Sequence, residues 1–410
     1  MDLVVRNARI LQHGELCTVD IGIQGTAIAA ITPALDADAP QLDAAGCLVV
    51  PGLIETHIHL DKTCILERCR IEQGTVVEAV SETAAAKRHF TIEDVYARGQ
   101  KTLERCIAQG TMRMRSHVEL DPGIGMTGYD AIEQLKRDYA WAIDLELCVF
   151  PQEGLTNTPG TEELLREGLR RGARSIGAAP YFDSDPRGQI DRIFAIAGEY
   201  DVDIDMHLDL AESTEGMQVE YVCRKTEEFG WGGRVAVGHV TQMSLLPPDR
   251  FQVIAAQLAS AGVAVTILPA TDLFLMGRNH DHAVPRGVVT AGPLREVGVT
   301  CSISTNNVLN PFTPYGDGSL VRMANLYANV CQVSRPSDLV GCLDMITGSA
   351  ARLMRLEDYG IRVGGPADLV CLDARDPAAA IAALAQPLWG LKRGRMSFTW
   401  SRPQLHRLQG

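Results

Sequence analysis

His57 and His59 stand either side of one isoleucine in VVPGLIETHIHLDK. At the end of a β-strand, period-2 alternation sends both imidazoles to one face, where they can share an ion. An H-x-H alone is a weak signal, because a buried pair can equally be hydrogen-bonded in a core. His207 in DIDMHLDL and His239 in AVGHVTQM each follow a separate apolar run, and singly each reads as a satisfied core histidine. Four histidines on three strand ends read differently. Three imidazoles with one open position are the donor set of a catalytic zinc or ferrous site, which makes bound water a nucleophile near neutral pH. His57, His59 and His207 are therefore expected to hold one divalent ion per chain, zinc or iron. His239 is expected to hold the hydroxide or a substrate oxygen.

These side chains need a scaffold that gathers strand ends. Between about Val49 and Leu356, eight short apolar runs alternate with segments of helical period such as IEDVYARGQKTLERCIAQG and QIDRIFAIAGEY. The runs are LVVPGLIET, TMRMRSHVEL, LELCVFPQ, SIGAAPY, VDIDMHLDL, RVAVGHVT, VAVTILPAT and TCSISTNN. Each carries its polar residues toward its C-terminal end: His57 and His59, His117, Gln152, Tyr181, His207, His239, Asp272, and Asn306 with Asn307. Eight such units predict an α/β fold, a (β/α)8 TIM barrel over residues 51–356, whose chemistry sits on that rim. Short β-rich runs at both ends predict a small antiparallel sheet, a β-sandwich domain assembled from 1–50 and 357–410.

Composition bounds the rest. With 46% apolar and 22% charged residues in 410, the chain reads as a folded globular protein with a sizeable core. Its 38 basic against 51 acidic residues give a net charge of −13, which argues against a nucleic-acid or anionic-membrane partner. The charged N-terminus does not read as a secretory signal, and no apolar run is long enough to span a bilayer. Eleven cysteines without a CxxC suit buried thiols in a reducing, cytoplasmic setting. A homo-oligomer acting on a small molecule is expected.

The segments VVPGLIETHIHLDK, VFPQEG at 149–154, DVDIDMHLD at 201–209, VGHVTQM at 237–243 and NPFTPYGDGSL at 310–320 resemble the cytosine deaminase branch of the amidohydrolase superfamily. The similarity extends to the N-isopropylammelide isopropylaminohydrolases and covers nearly the whole chain. It implies a metal-dependent hydrolase of C–N bonds in a small nitrogen heterocycle, with deamination of a pyrimidine- or triazine-like ring as the favoured case. By that resemblance Gln152 hydrogen-bonds the heterocycle, and His239 orients the water. Two positions depart from the pattern. Cytosine deaminases carry a glutamate three residues after the third histidine and an aspartate on strand eight, where this chain has Leu210 and Asn306. Leucine moves no proton, and a neutral amide is no base near pH 7.

Asn306 and Asp209 join His239 as catalytic candidates, with Glu119, Asp61 and Glu212 as further carboxylates near the rim. His117, Lys62 and Asp272 join Gln152 as substrate-binding candidates. An amide such as Gln152 offers donor and acceptor together, which suits the N–C=O edge of a ring. Hydrolysis of a cyclic amide or an N-alkyl substituent is the second enzymatic reading, and a homologue that binds a heterocycle without turnover the third. A second H-x-H, His280 and His282, lies among Gly and Pro and predicts a long loop after strand seven, a substrate-facing lid in preference to a solvated loop or a second metal.

Overall fold

The computed structural model describes residues 1–406. The first five strands are β1 (Leu3–Gln12), β2 (Glu15–Gln24), β3 (Ala27–Thr32), β4 (Gln41–Asp43) and β5 (Leu48–Pro51). Gly52 then turns the chain into the barrel. A Cβ there would lie 2.6 Å from that of Met112, so only glycine lets the two sheets approach this closely.

The barrel strands follow: β6 (Leu53–Ile58), β7 (Thr111–Glu119), β8 (Asp144–Phe150), β9 (Ser175–Ile176), β10 (Asp203–Leu208), β11 (Val235–His239), β12 (Val263–Ile267) and β13 (Cys301–Ile303). They pair in parallel in chain order. A parallel bridge between Ile58 and Asn306 joins the last strand to the first. All eight expected runs contain a strand, although SIGAAPY keeps only two residues of it. Helices at Ile92–Ala108 and Pro186–Tyr200 follow the predicted period and start at side-chain caps, Thr91 accepting from the Asp94 amide and Asp185 from that of Gly188. The strands and helices enclose a core that includes Met114, Val149, Ile204, Val237, Val265 and Ile303.

The chain returns to the first sheet through β14 (Leu369–Leu372), β15 (Pro387–Lys392) and β16 (Arg395–Thr399), giving the order β16-β15-β14-β5-β1-β2-β3 with β4 on β1. The two ends thus complete one sheet over its own core of Val5, Ile10, Ile21, Leu369 and Trp389. The sheet is mixed rather than purely antiparallel. β1 runs parallel to both β4 and β5, because the chain crosses over through 33–40 instead of making a hairpin. Lys392 locks this sheet to the barrel: its buried ammonium lies 2.6 Å from Asp368 and 2.7 Å from Asp144. Among the described residues no helix is long and apolar enough to cross a membrane.

Candidate metal centre and active site

β6 delivers His57 and His59, and β10 delivers His207. Their rings are at most 2% exposed, and His207 Nε2 lies 3.0 Å from His57 Nε2 and 2.9 Å from His59 Nε2. Burial, reinforced by neighbouring histidines for His57 and His207 and by Lys62 and His117 for His59, holds all three pKa values low, that of His57 at about 3. Neutral imidazoles so arranged either share a ring proton or direct their Nε2 lone pairs at a cation between them. Tetrahedral ligation at the ~2.0–2.1 Å usual for zinc would space the nitrogens by roughly 3.3 Å, close to the spacing found. The donor set therefore fits one divalent ion.

What orients the first of these imidazoles lies on the strand that brings the third. Asp205, two residues before His207 on the same face of β10, sits 3.3 Å from His57 Nδ1. The Nδ1–H donates to this carboxylate, which leaves the Nε2 lone pair for the ion. Burial opposes the charge on Asp205, but His117 and His57 hold its carboxyl well below the ordinary range, and Arg115 donates to it at 2.8 Å. A Cβ on Gly238 would lie 3.3 Å from His57 Cε1, so β11 passes close behind the ring. His117, expected on substrate, instead stacks on His57 with centroids 3.7 Å apart and turns Nε2 to Asp205 at 3.5 Å. The even spacing of strand-end histidines gave no warning that this one packs against the ring of His57.

His239 donates from Nδ1 to Asp272 at 2.6 Å, so its Nε2 is the acceptor, and the Asn306 amide nitrogen faces it at 3.5 Å. Asp272, expected on substrate, thus pairs with His239; burial raises its pKa against the opposing pull of that histidine. Asn306 Oδ1 is buried without a partner. The Asn306 backbone closes the barrel, its N–H donating to His57 O and its carbonyl accepting from His59 N, each at 2.9 Å. Glu55, which sequence reasoning missed, braces the same seam by accepting from the Thr305 amide at 3.1 Å, and burial raises its pKa to about 7.

Asp209, expected beside His207, is engaged elsewhere. Just past β10 it takes a left-handed φ of 50°, which breaks the alternation expected to place it beside His207. Its two oxygens accept the backbone amides of Gln218 and Val219 at 2.8 and 3.0 Å, at the start of the helix Val219–Phe229. Burial raises its pKa to about 6, but the carboxylate is committed to that loop. Glu212 is likewise engaged, accepting the Arg278 and Asn279 amides at 2.7 and 3.1 Å. It thereby ties down the exposed loop that carries His280 and His282.

On the opposite side, Lys62 donates to Glu119 at 2.6 Å and to Gln152 Oε1 at 3.2 Å. Asp61 accepts the Glu119 amide at 2.9 Å. Lys87, absent from the sequence expectations, reaches the other Glu119 oxygen at 3.2 Å and Asp121 at 2.6 Å. Phe150 links the two sides, stacked on His207 at 4.6 Å and 5.6 Å from Lys62 Nζ. Leu210 packs with Ala79, Val80, Leu275, Met276 and Phe312 into an apolar cluster.

The sequence model of the amidohydrolase family matches residues 100–395. The chain is 26% identical over 405 residues to N-isopropylammelide isopropyl amidohydrolase of Pseudomonas sp. (strain ADP), covering 96% of each protein. Its fold superposes with a TM-score of 0.93 on 5-methylcytosine deaminase from Klebsiella pneumoniae liganded with 5-fluorocytosine, at 26% identity over 98% of this chain and 99% of that one. N-isopropylammelide isopropylaminohydrolase from Burkholderia multivorans gives a TM-score of 0.84 at 27% identity, over 97% of this chain and 98% of that one.

Proposed function

Since the chain belongs to the amidohydrolase family, we propose that it hydrolyses an exocyclic C–N bond of a small, pyrimidine- or triazine-like nitrogen heterocycle with one divalent ion, zinc or iron. The observation that carries this reading is the convergence of the His57, His59 and His207 Nε2 atoms beside the His239–Asp272 pair. In it those three imidazoles hold the ion, and Asn306 offers Oδ1 as a neutral oxygen. When bound, the ion supplies Lewis-acid activation of water and substrate.

Proton handling then falls to His239. Leu210 has no proton to give and Asn306 is not a base, whereas His239 Nε2, faced by the Asn306 amide at 3.5 Å, can accept one. Asp272 at 2.6 Å stabilises the imidazolium that results and fixes the tautomer. The same Nε2 returns the proton to the leaving amine. The Leu210 and Phe312 cluster keeps bulk water from competing. That cluster also favours a second reading, in which the leaving group is an N-alkyl amine whose hydrocarbon meets Leu210.

Metal analysis with an amine-release screen over pyrimidines, triazines and their N-alkyl derivatives tests the proposal. Expected are about one ion per chain, most of it lost in His207→Ala, and release from at least one ring. His239→Asn should retain the ion and lose ~10²–10⁴-fold in turnover. Full ion occupancy in His207→Ala, or undiminished turnover in His239→Asn, overturns the assignment.

A further inference from the structure

A cavity of about 550 Å3 opens at the end of the barrel opposite the histidine rim, between the helix Ile92–Ala108, the turn that precedes β8, and β16. Tyr96, Gln100, Glu104 and Ala108 recur every fourth residue and so share one face of that helix. Tyr139 and Trp141, with ring centres 6.3 Å apart, line the cavity from the turn, and Phe398 adds a further ring from β16. The charge here is all negative. Tyr96 donates to Asp138 at 2.8 Å, and Tyr139 donates to Glu104 while accepting from Gln100 at 2.7 Å. Gln100 is the one further side chain on either carboxylate, 3.3 Å from Glu104, so among the described residues neither is in an ion pair, and no Lys or Arg lines the cavity. Elsewhere the protein caps half-buried rings with its own cations. Arg234 lies 4.5 Å from the Trp231 ring centre and Arg187 4.9 Å from that of Tyr221, whereas among the described residues Tyr96, Tyr139 and Trp141 carry no such cap.

We propose that this cavity is a second binding site, for a small organic cation of the quaternary-ammonium type. Aromatic faces attract a cation through the ring quadrupole, and quaternary ammonium ligands are the group that such cages recognise. A phenol hydroxyl that donates to a carboxylate returns electron density to its ring, which makes that face more negative. Burial, with the Asp138 bond, pushes the Tyr96 phenol up to about 12, so the hydroxyl keeps its proton and goes on donating. Asp138 and Glu104 supply the charge that a bound cation neutralises. A methylated ammonium has no N–H, so it leaves both tyrosine–carboxylate bonds intact, whereas a primary ammonium competes for them. Trp141, 58% exposed, leaves the entrance open to solvent. The site is independent of the histidine centre and stands whether or not the barrel turns over a heterocycle.

Choline and 3,3-dimethyl-1-butanol have the same shape and differ in one charge, so their binding to the full chain, measured by calorimetry, isolates the cation. Choline is expected to bind with a Kd of about 1 mM or below, and at least about tenfold more tightly than the uncharged isostere. Its affinity should fall as sodium chloride is raised, because the carboxylates are exposed to screening. Glu104→Gln/Asp138→Asn keeps an acceptor for each phenol and should bring the choline preference below about threefold. Trp141→Leu removes an exposed ring without opening the core and should weaken choline at least about fivefold, while Trp141→Phe restores most of the loss. The metal content of these variants should match the wild type, since none of them touches the histidine centre. No choline binding at about 10 mM, equal binding of choline and its isostere, or undiminished binding in Trp141→Leu overturns the proposal.

Discussion

Glu119 shows how much a single buried carboxylate can govern. Burial opposes its charge, but Lys62 and Lys87 outweigh that and lower its pKa from 4.5 to about 2. Between those values the unfolded chain binds more protons than the folded one, so this contribution is complete above about pH 4.5 and is lost as pH falls through about 2. Glu119→Gln leaves the buried Lys62 ammonium without its carboxylate, while Lys87 keeps Asp121, and should cost on the order of 3 kcal/mol at pH 7. In denaturant titrations at stepped pH, the gap to wild type should close as pH drops below 4.5; a gap that stays constant to pH 2 would show that the loss is one of packing alone. At this scale the sequence was partly legible. His57, His59, His207 and His239 stand out because four histidines on three strand ends of one barrel are hard to credit to packing alone. Asp205 passed unread although DIDMHLD places it two residues from His207, because an acidic residue within a strand resembles a solvent-facing one until the barrel closes around it. Lys87 could not be read, since it reaches the site from a helix whose docking no local pattern encodes.

Strand ends are where the elements depart from regularity. Asp209, His239, Val240 and Asn306 all take positive φ at the exits of β10 and β11 and just past β13. Such conformations cost on the order of 1–3 kcal/mol each and persist only when their surroundings fix them. Asp209 is one such fixture, and its replacement tests the corrected role. Asp209→Asn keeps one acceptor for the Gln218 and Val219 amides and loses the negative charge at a helix start, for a cost of about 1 kcal/mol. Urea denaturation should report that loss while metal content and the pH dependence of turnover stay as in the wild type. A displaced pH profile would return Asp209 to proton transfer. The helices and the eight runs were legible because period and caps are local. These turns were not, since alternation predicts where a side chain points only while the strand continues.

At the scale of the whole molecule, the two ends of the chain form one sheet that holds the barrel at its base. β14 pairs with β5 from Leu369–Pro51 to Leu372–Leu48, Trp400 donates to Ala108 at 2.8 Å, and Tyr359 donates to Gly52 at 2.8 Å. Deleting everything after Leu356 removes three strands and bares the β5 edge and the apolar core beneath it. The truncated protein should aggregate on expression; a soluble, cooperatively melting product would show that the sheet is dispensable. The shared sheet was legible in outline because β-rich texture recurs only at the two ends, but its parallel crossover was not, since register follows from pairing across the whole chain. The seam at Ile58 and Asn306 also sets a timetable. It joins segments 248 residues apart, as in the Thr56 amide's bond to Ser304, so nearly the entire barrel must be ordered before the loop can shut. Refolding should accordingly be slow, and the third imidazole should find its partners only in the closing step. A zinc-sensitive dye mixed with refolding chains would then lose its metal at the pace of the final phase, which makes ion capture a clock for the last event in the life of the nascent protein.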